Sequence, residues 1–325
     1  MSDRSANVLE NYEIEVLRTW KGRGAVLCET GQGILILKEY AGYKEKVAFQ
    51  DALLHMIQEK GFSQVETIIR NKDQELLTQD LDGTMYILKT YTDGRECNVR
   101  DMEECRKAVE TLASLHRASR IEKPVSGFGM SHPVCQEFHK HNKELRRVKK
   151  YLKDRSQKTD FEIALFSTYD YFLNLALQVT EEMEQVESQQ EELFVCHGDY
   201  QHHNIMVSGE KMHIINFEKC LYDSPVRDLY LFMRKLLEKS GWCKETGTGL
   251  ILAYEKNRPM EKEEYRQLYY RLAYPEKFWK IVNFYYNSGK AWIPDKYMEK
   301  LLRVTEQEKS KQVFLESFKI RYGLS

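Results

Sequence analysis

The 325-residue chain carries 49 Lys and Arg against 50 Asp and Glu. A net charge of -1 removes the bulk attraction by which nucleic-acid and anionic-membrane proteins find their partners. Hydrophobic residues at 42%, aromatics at 12% and only 6 prolines describe a folded protein of one large domain or two lobes rather than a disordered one. The longest uninterrupted aliphatic stretch, 33–37, falls far short of the ~20 residues of a membrane helix, so no membrane span is expected. The opening residues Met1 to Asn7 lack the apolar segment of a secretory signal, and the expectation is a protein that is not exported. Cys28, Cys97, Cys105, Cys135, Cys196, Cys220 and Cys243 are odd in number, scattered and without a C-x-x-C pair. They read as reduced thiols, mostly in the core, rather than as disulfides or zinc ligands.

From Tyr12 to Tyr40 the chain has the pattern of an antiparallel meander. Glu13 to Leu17 alternates, Lys21-Gly22-Arg23-Gly24 turns, Ala25 to Cys28 is apolar, Thr30 to Gly33 turns again, and Ile34 to Lys38 completes a third strand. Lys44 to Lys60 places Val47, Leu54, Met56 and Ile57 at helical spacing, with Gly61 as its stop. Strands are predicted again near Glu75 to Leu77 and over Thr84 to Lys89, separated by the turn residues Gln79 to Gly83. After Gly94 the pattern becomes helical, first over Val99 to Ala118, where Ala108, Leu112 and Leu115 share a face. Strands before and helices after predict an α+β protein: a small N-terminal sheet lobe with one helix over residues 1–92, and a larger, mainly helical lobe over 93–325. Cys135 to Gln190 reads as an amphipathic helical hairpin broken at Asp154 to Ser156. A loop and two short strands interrupt at Asp199 to Asn216, and helices resume from Asp228.

One segment carries chemistry. In Val195-Cys196-His197-Gly198-Asp199-Tyr200-Gln201-His202-His203-Asn204 an apolar strand delivers a carboxylate, a carboxamide follows five residues later, and a second strand leaves. Phosphoryl transfer to a hydroxyl uses such groups: a carboxylate to orient the attacking oxygen and take its proton, and an oxygen ligand for Mg²⁺ close by. The next strand ends in Ile215-Asn216-Phe217-Glu218 and brings another polar group to the same end. A zinc reading of His197, His202, His203 and His213 is weak, because no pair stands at ligand spacing on one helix.

The segment resembles the catalytic motif H-G-D-x-x-x-x-N, followed by I-D-F, of the aminoglycoside phosphotransferase and choline kinase-like superfamily. Within it the chain is similar to bacterial spore coat proteins of the CotS type. That second likeness rests on His197 to Asn204, Asn216-Phe217-Glu218, Val226 to Lys235 and Tyr274 to Lys280 together. The resemblance implies a two-lobed protein kinase-like fold with ATP and Mg²⁺ as cofactors. Asp199 would be the catalytic base, and Asn204, Asn216 and Glu218 the metal ligands. Lys38 would pair the nucleotide phosphates, Gly22 and Gly24 would form the turn above them, and Lys89 to Tyr91 the hinge where adenine packs. Asp228 would steady the catalytic loop. The helix Lys44 to Lys60 should supply a glutamate to pair with Lys38, yet its middle offers only Gln50 and Asp51.

The largest departure is Asn216, where active kinases have an aspartate. A carboxamide adds no negative charge to hold a hard cation, and weaker metal binding is expected. Glu218 would point to the same face if the strand persists, whereas a turn beginning at Phe217 would break that alignment. The aromatic series from Tyr265 to Tyr286 could stack bases, but Phe278, Ile281, Val282 and Tyr285 follow helical spacing and read as core. Three functions stay open: ATP-dependent phosphotransfer to a small hydroxylated molecule, a catalytically inactive kinase-like scaffold, and a nucleotide-binding regulator of coat assembly. The resemblance implies other coat proteins as partners, a small-molecule acceptor if catalysis is kept, and passage from the mother-cell cytoplasm to the spore coat, while the near-neutral charge argues against nucleic acid.

Overall fold

The computed structural model describes residues 3–22, 24–122, 129–186, 193–287 and 295–324. The chain divides by its contacts into two compact units. The first comprises Met1–Met130, Glu192–Phe232 and Leu252–Arg258, and the second Ser131–Glu191, Met233–Ile251 and Pro259–Ser325.

The first unit opens with helix α1 (Asp3–Leu9) and the predicted meander, β1 (Val16–Gly22), β2 (Ala25–Thr30) and β3 (Gly33–Glu39). Helix α2 (Lys44–Glu59), β4 (Ile68–Ile69), β5 (Thr78–Gln79) and β6 (Met85–Thr90) follow. The strands form one antiparallel sheet in the order β1-β2-β3-β6-β4, with β5 also on β6. Register decides what this sheet presents. Leu37 pairs with Leu88 and Leu35 with Cys28, so these residues share a face. They pack against Val8, Leu9 and Tyr12, each Leu or Val so buried contributing roughly 1.5–3 kcal/mol. Ile36 pairs with Lys89 and Lys38 with Ile87, which puts both lysines on the opposite face.

The strand expected at Glu75 to Leu77 forms slightly later, as β5, because Asn71 organises the residues before it. Its Oδ1 accepts from the Asp73 and Glu75 amides, and its Nδ2 donates to Thr78 Oγ1 at 3.2 Å. Helix α3 (Met102–Ala118), preceded by β7 (Arg95–Glu96), starts after the sequence-predicted Val99 because the Asp101 carboxylate caps it, accepting from the Glu103 and Glu104 amides. Strand β8 (Arg120–Ile121) follows.

In the second unit, α4 (Val134–Asp154) and α5 (Asp160–Val186) form the predicted hairpin with its break after Asp154; residues 187–190 of that prediction lie outside the described residues. Returning to the first unit, β9 (Leu193–Cys196), β10 (Ile205–Ser208), β11 (Lys211–Ile214) and β12 (Leu221–Asp223) build two small sheets, β11-β10-β7 and β12-β9-β8. Helices α6 (Val226–Ser240), α7 (Lys244–Glu255), α8 (Lys262–Ala273), α9 (Glu276–Asn287) and α10 (Asp295–Tyr322) complete the chain. Phe278 is fully buried, stacked on Phe172 and edge-on to Tyr169, and Ile281 and Val282 are buried beside it. That part of the aromatic series is core.

Candidate active site

The sequence motif occupies the loop between β9 and β10, and a buried aspartate fixes its shape. Asp228, fully buried near the start of α6, accepts the backbone N–H groups of His197 at 2.6 Å and Gly198 at 2.9 Å. His116 Nε2 stands 3.3 Å from the same carboxylate, and His116 Nδ1 lies 2.7 Å from the Tyr254 hydroxyl. Burial acts to raise the Asp228 pKa, but His116 and the backbone donors outweigh it and hold the carboxyl below its usual range. His197 ties the loop to the following strand. Its Nδ1 accepts from the Asp199 amide at 3.1 Å, which leaves Nε2 to donate to the Ile215 carbonyl at 2.9 Å. Gly198 has φ +77°, and a Cβ there would stand 2.1 Å from the Lys219 carbonyl oxygen, so both conformation and space require glycine.

Tyr200 is buried and donates to the Ala108 carbonyl at 2.7 Å, anchoring the loop to α3. Asp199 stays partly accessible, with 18% of its side chain exposed. Its carboxylate accepts from Lys219 Nζ at 2.8 Å and from the Gln201 carboxamide.

Asn204 and Asn216 meet directly. Asn204 Nδ2 donates to the Asp199 carbonyl at 2.8 Å, and Asn216 Nδ2 donates to Asn204 Oδ1 at 2.9 Å. The remaining Asn216 oxygen accepts from Lys38 Nζ at 3.0 Å. Asn216 has φ 66° and ψ 58°, a left-handed conformation that asparagine tolerates better than most residues. Strand β11 ends at Ile214, and Phe217–Lys219 form a 3-10 turn, so Glu218 does not share a strand face with Asn216. The turn nevertheless returns its carboxylate to the same lysine, 3.5 Å from Lys38 Nζ.

Lys89 is 1% exposed, and its ammonium reaches Glu66 at 3.0 Å and Glu218 at 2.8 Å. Burial alone would lower its pKa; the two carboxylates reverse that and raise it. For Glu218, burial pushes upward, while Lys89 and then Lys38 outweigh it and bring the carboxyl down to about 2. Glu66, 3% exposed, also accepts from the Phe217 amide at 3.1 Å and from Gln50 Nε2 at 3.3 Å. The middle of α2 therefore faces Glu66 through Gln50, while Asp51 pairs with Arg70 at 2.5 Å. Gly24 turns the β1–β2 hairpin with φ +65°, Gly22 pairs with Ala25, and Arg23 between them lies outside the described residues. The Tyr91 amide donates to the Ile34 carbonyl at 2.9 Å, prolonging the β3–β6 pairing.

The structure brings Lys38, Asp199, Asn204, Asn216 and Glu218 next to one another. It adds Glu66 and Lys219, which no motif marked. A lysine directly following the apolar run Met85 to Leu88 was the available signal for Glu66, since a buried ammonium needs a counter-charge.

The family described as "Spore coat putative kinase YutH" matches residues 5–318. The chain belongs to that family. Spore coat protein S of Bacillus subtilis (strain 168) is 25% identical over 317 residues, covering 91% of this chain and 86% of that protein. The aminoglycoside phosphotransferase from Alicyclobacillus acidocaldarius subsp. acidocaldarius DSM 446 has a TM-score of 0.86 at 19% identity, covering 98% of this chain and 96% of that one. A microcompartment-associated aminopropanol kinase follows the same course, with a TM-score of 0.65 at 13% identity over 99% and 98% of the two chains. This member of the coat family therefore has the kinase-like phosphotransferase fold.

Within that fold, the donor set does not fit a magnesium ion. Mg²⁺ beside phosphates leans on a carboxylate in addition to the catalytic-loop amide, and position 216 offers a neutral carboxamide where the family motif has an aspartate. The Asn204 and Asn216 oxygens already accept hydrogen bonds, one of them from the ammonium of Lys38. The nearby Glu218 carboxylate is engaged by two lysines. Like charges ~4 Å apart repel by about 4 kcal/mol at an effective dielectric of 20, and a divalent ion doubles that against a lysine.

Proposed function

We propose that this protein serves in the spore coat as a kinase-like assembly module that does not carry out metal-dependent phosphotransfer. The observation that carries this reading is the chain Lys38–Asn216–Asn204, in which a cation and two amides satisfy one another where a catalytic kinase needs an acidic metal ligand. The scaffold around it is kept. Asp228 and His197 hold the loop, Tyr200 anchors it, and Lys38 still faces the side of the sheet on which the fold would receive phosphates. Partners in this reading are other coat proteins, met in the mother-cell cytoplasm before deposition on the forespore.

A second reading, ATP-dependent transfer to a small hydroxylated molecule, has one observation in its favour. Asp199 keeps its accessible carboxylate, and Glu218 brings a second one to Lys38. Sporulating cells separate the two. With Asp199→Asn replacing the wild-type protein, the assembly reading expects coat incorporation at wild-type level, by fluorescence of a tagged chain and by immunoblot of coat extracts. Loss of incorporation by a variant that folds normally would favour the second reading.

A further inference from the structure

Four charged side chains meet beside the sheet of the first unit, and they balance without a metal. Lys89 has both its neighbours in carboxylates, Glu66 at 3.0 Å and Glu218 at 2.8 Å, and is closed from solvent. Lys38 differs on both counts. Its shorter contact, 3.0 Å, is to the neutral Asn216 carboxamide, the one carboxylate it pairs with among the described residues is Glu218 at 3.5 Å, and 28% of its side chain is exposed. Glu218 is thus held mainly by Lys89, and Lys38 is the ammonium that retains charge and access together. An aspartate at 216 would tip this set to net negative, and a polyphosphate could then enter only with a divalent ion. With asparagine there, the set is neutral before any ligand arrives, and the oxygen such an ion would need is already held by Lys38.

We infer that this site binds the phosphates of a nucleoside di- or triphosphate as the free anion, with the Lys38 ammonium supplying the positive charge that active kinases draw from magnesium. The inference rests on the non-catalytic reading above and adds a ligand class to it. Magnesium then competes for the nucleotide instead of supporting its binding, because the complexed phosphates carry less negative charge to Lys38.

The full chain is titrated with ADP and with ATP in EDTA, then with excess MgCl₂ at matched ionic strength, by calorimetry. Binding is expected in EDTA and several-fold weaker binding in magnesium. Lys38→Gln should weaken the EDTA affinity about tenfold or more, the scale of one lost charge-assisted contact. Affinity that rises with magnesium, no heat in EDTA, or Lys38→Gln binding like wild type would each overturn the inference. The magnesium response is read on the wild-type protein, so it stands even if the variant fails to fold. Turnover of ATP, followed in the same samples, reports separately on the non-catalytic reading: no binding with no turnover removes the ligand and leaves the assembly module, whereas turnover removes both.

Discussion

Asn216→Asp is expected to convert the protein from one indifferent to magnesium into one stabilised by it. The backbone at 216 tolerates aspartate, since the left-handed conformation suits both residues. What changes is chemistry. The new carboxylate loses the donor that now reaches Asn204 Oδ1 at 2.9 Å and faces that oxygen with one of its own. Without metal the lost hydrogen bond, about 1 kcal/mol, is offset by the ion pair the new carboxylate forms with Lys38 Nζ, now 3.0 Å from the Asn216 oxygen, so metal-free stability should change little. With metal the two oxygens become joint ligands. At a magnesium concentration a hundredfold above its dissociation constant, stabilisation approaches ~2.7 kcal/mol. Thermal unfolding with and without MgCl₂ measures this: a raised midpoint for the variant, none for wild type. A variant that responds to magnesium no differently from wild type would mean that the site is closed to metal, if neither responds, or that Glu218 already supplies the carboxylate, if both do. Glu218→Gln in the same background separates these, because only the second predicts a change.

Lys89→Met should be the most destabilising single substitution at the site. It strands Glu66, which is 3% exposed, without its ammonium, and removes the closer of the two cations on Glu218. Breaking one side of a buried ion pair costs about 3–5 kcal/mol. Urea unfolding should show that loss, and Lys89→Met combined with Glu66→Gln should recover part of it, since no buried charge then lacks a partner. A single variant within ~1 kcal/mol of wild type would contradict the arrangement. The same cluster sets an acid limit. Glu218 is lowered to about 2 in the folded protein, so its contribution is complete above its unfolded pKa near ~4.3 and is lost as pH falls toward 2. Removing Lys89 should move that loss to higher pH.

The sequence motif made the loop legible, because His197 to Asn204 and its flanking strands are contiguous and each residue type has a defined job. The meander and α2 were legible for a similar reason: alternation, turn glycines and helical spacing are local signals. The charge cluster was not. Glu66 lies in an unremarked connection after α2, and its meeting with Lys89 and the Phe217 amide depends on strand pairing and on a 3-10 turn 151 positions away. Lys219 reaches Asp199 only because that turn folds back onto Gly198. Asn216 shows the limit within a single residue. Its identity signalled a lost carboxylate, yet the ammonium that now occupies its oxygen comes from 178 positions away.

The most direct test of the account is phosphate release and transfer from γ-labelled ATP by the purified wild-type chain at saturating magnesium, measured beside Asp199→Asn. The account predicts that the two proteins are indistinguishable and that neither exceeds the rate of ATP in buffer. Turnover by wild type that disappears in Asp199→Asn would contradict it and establish the coat protein as a working phosphotransferase.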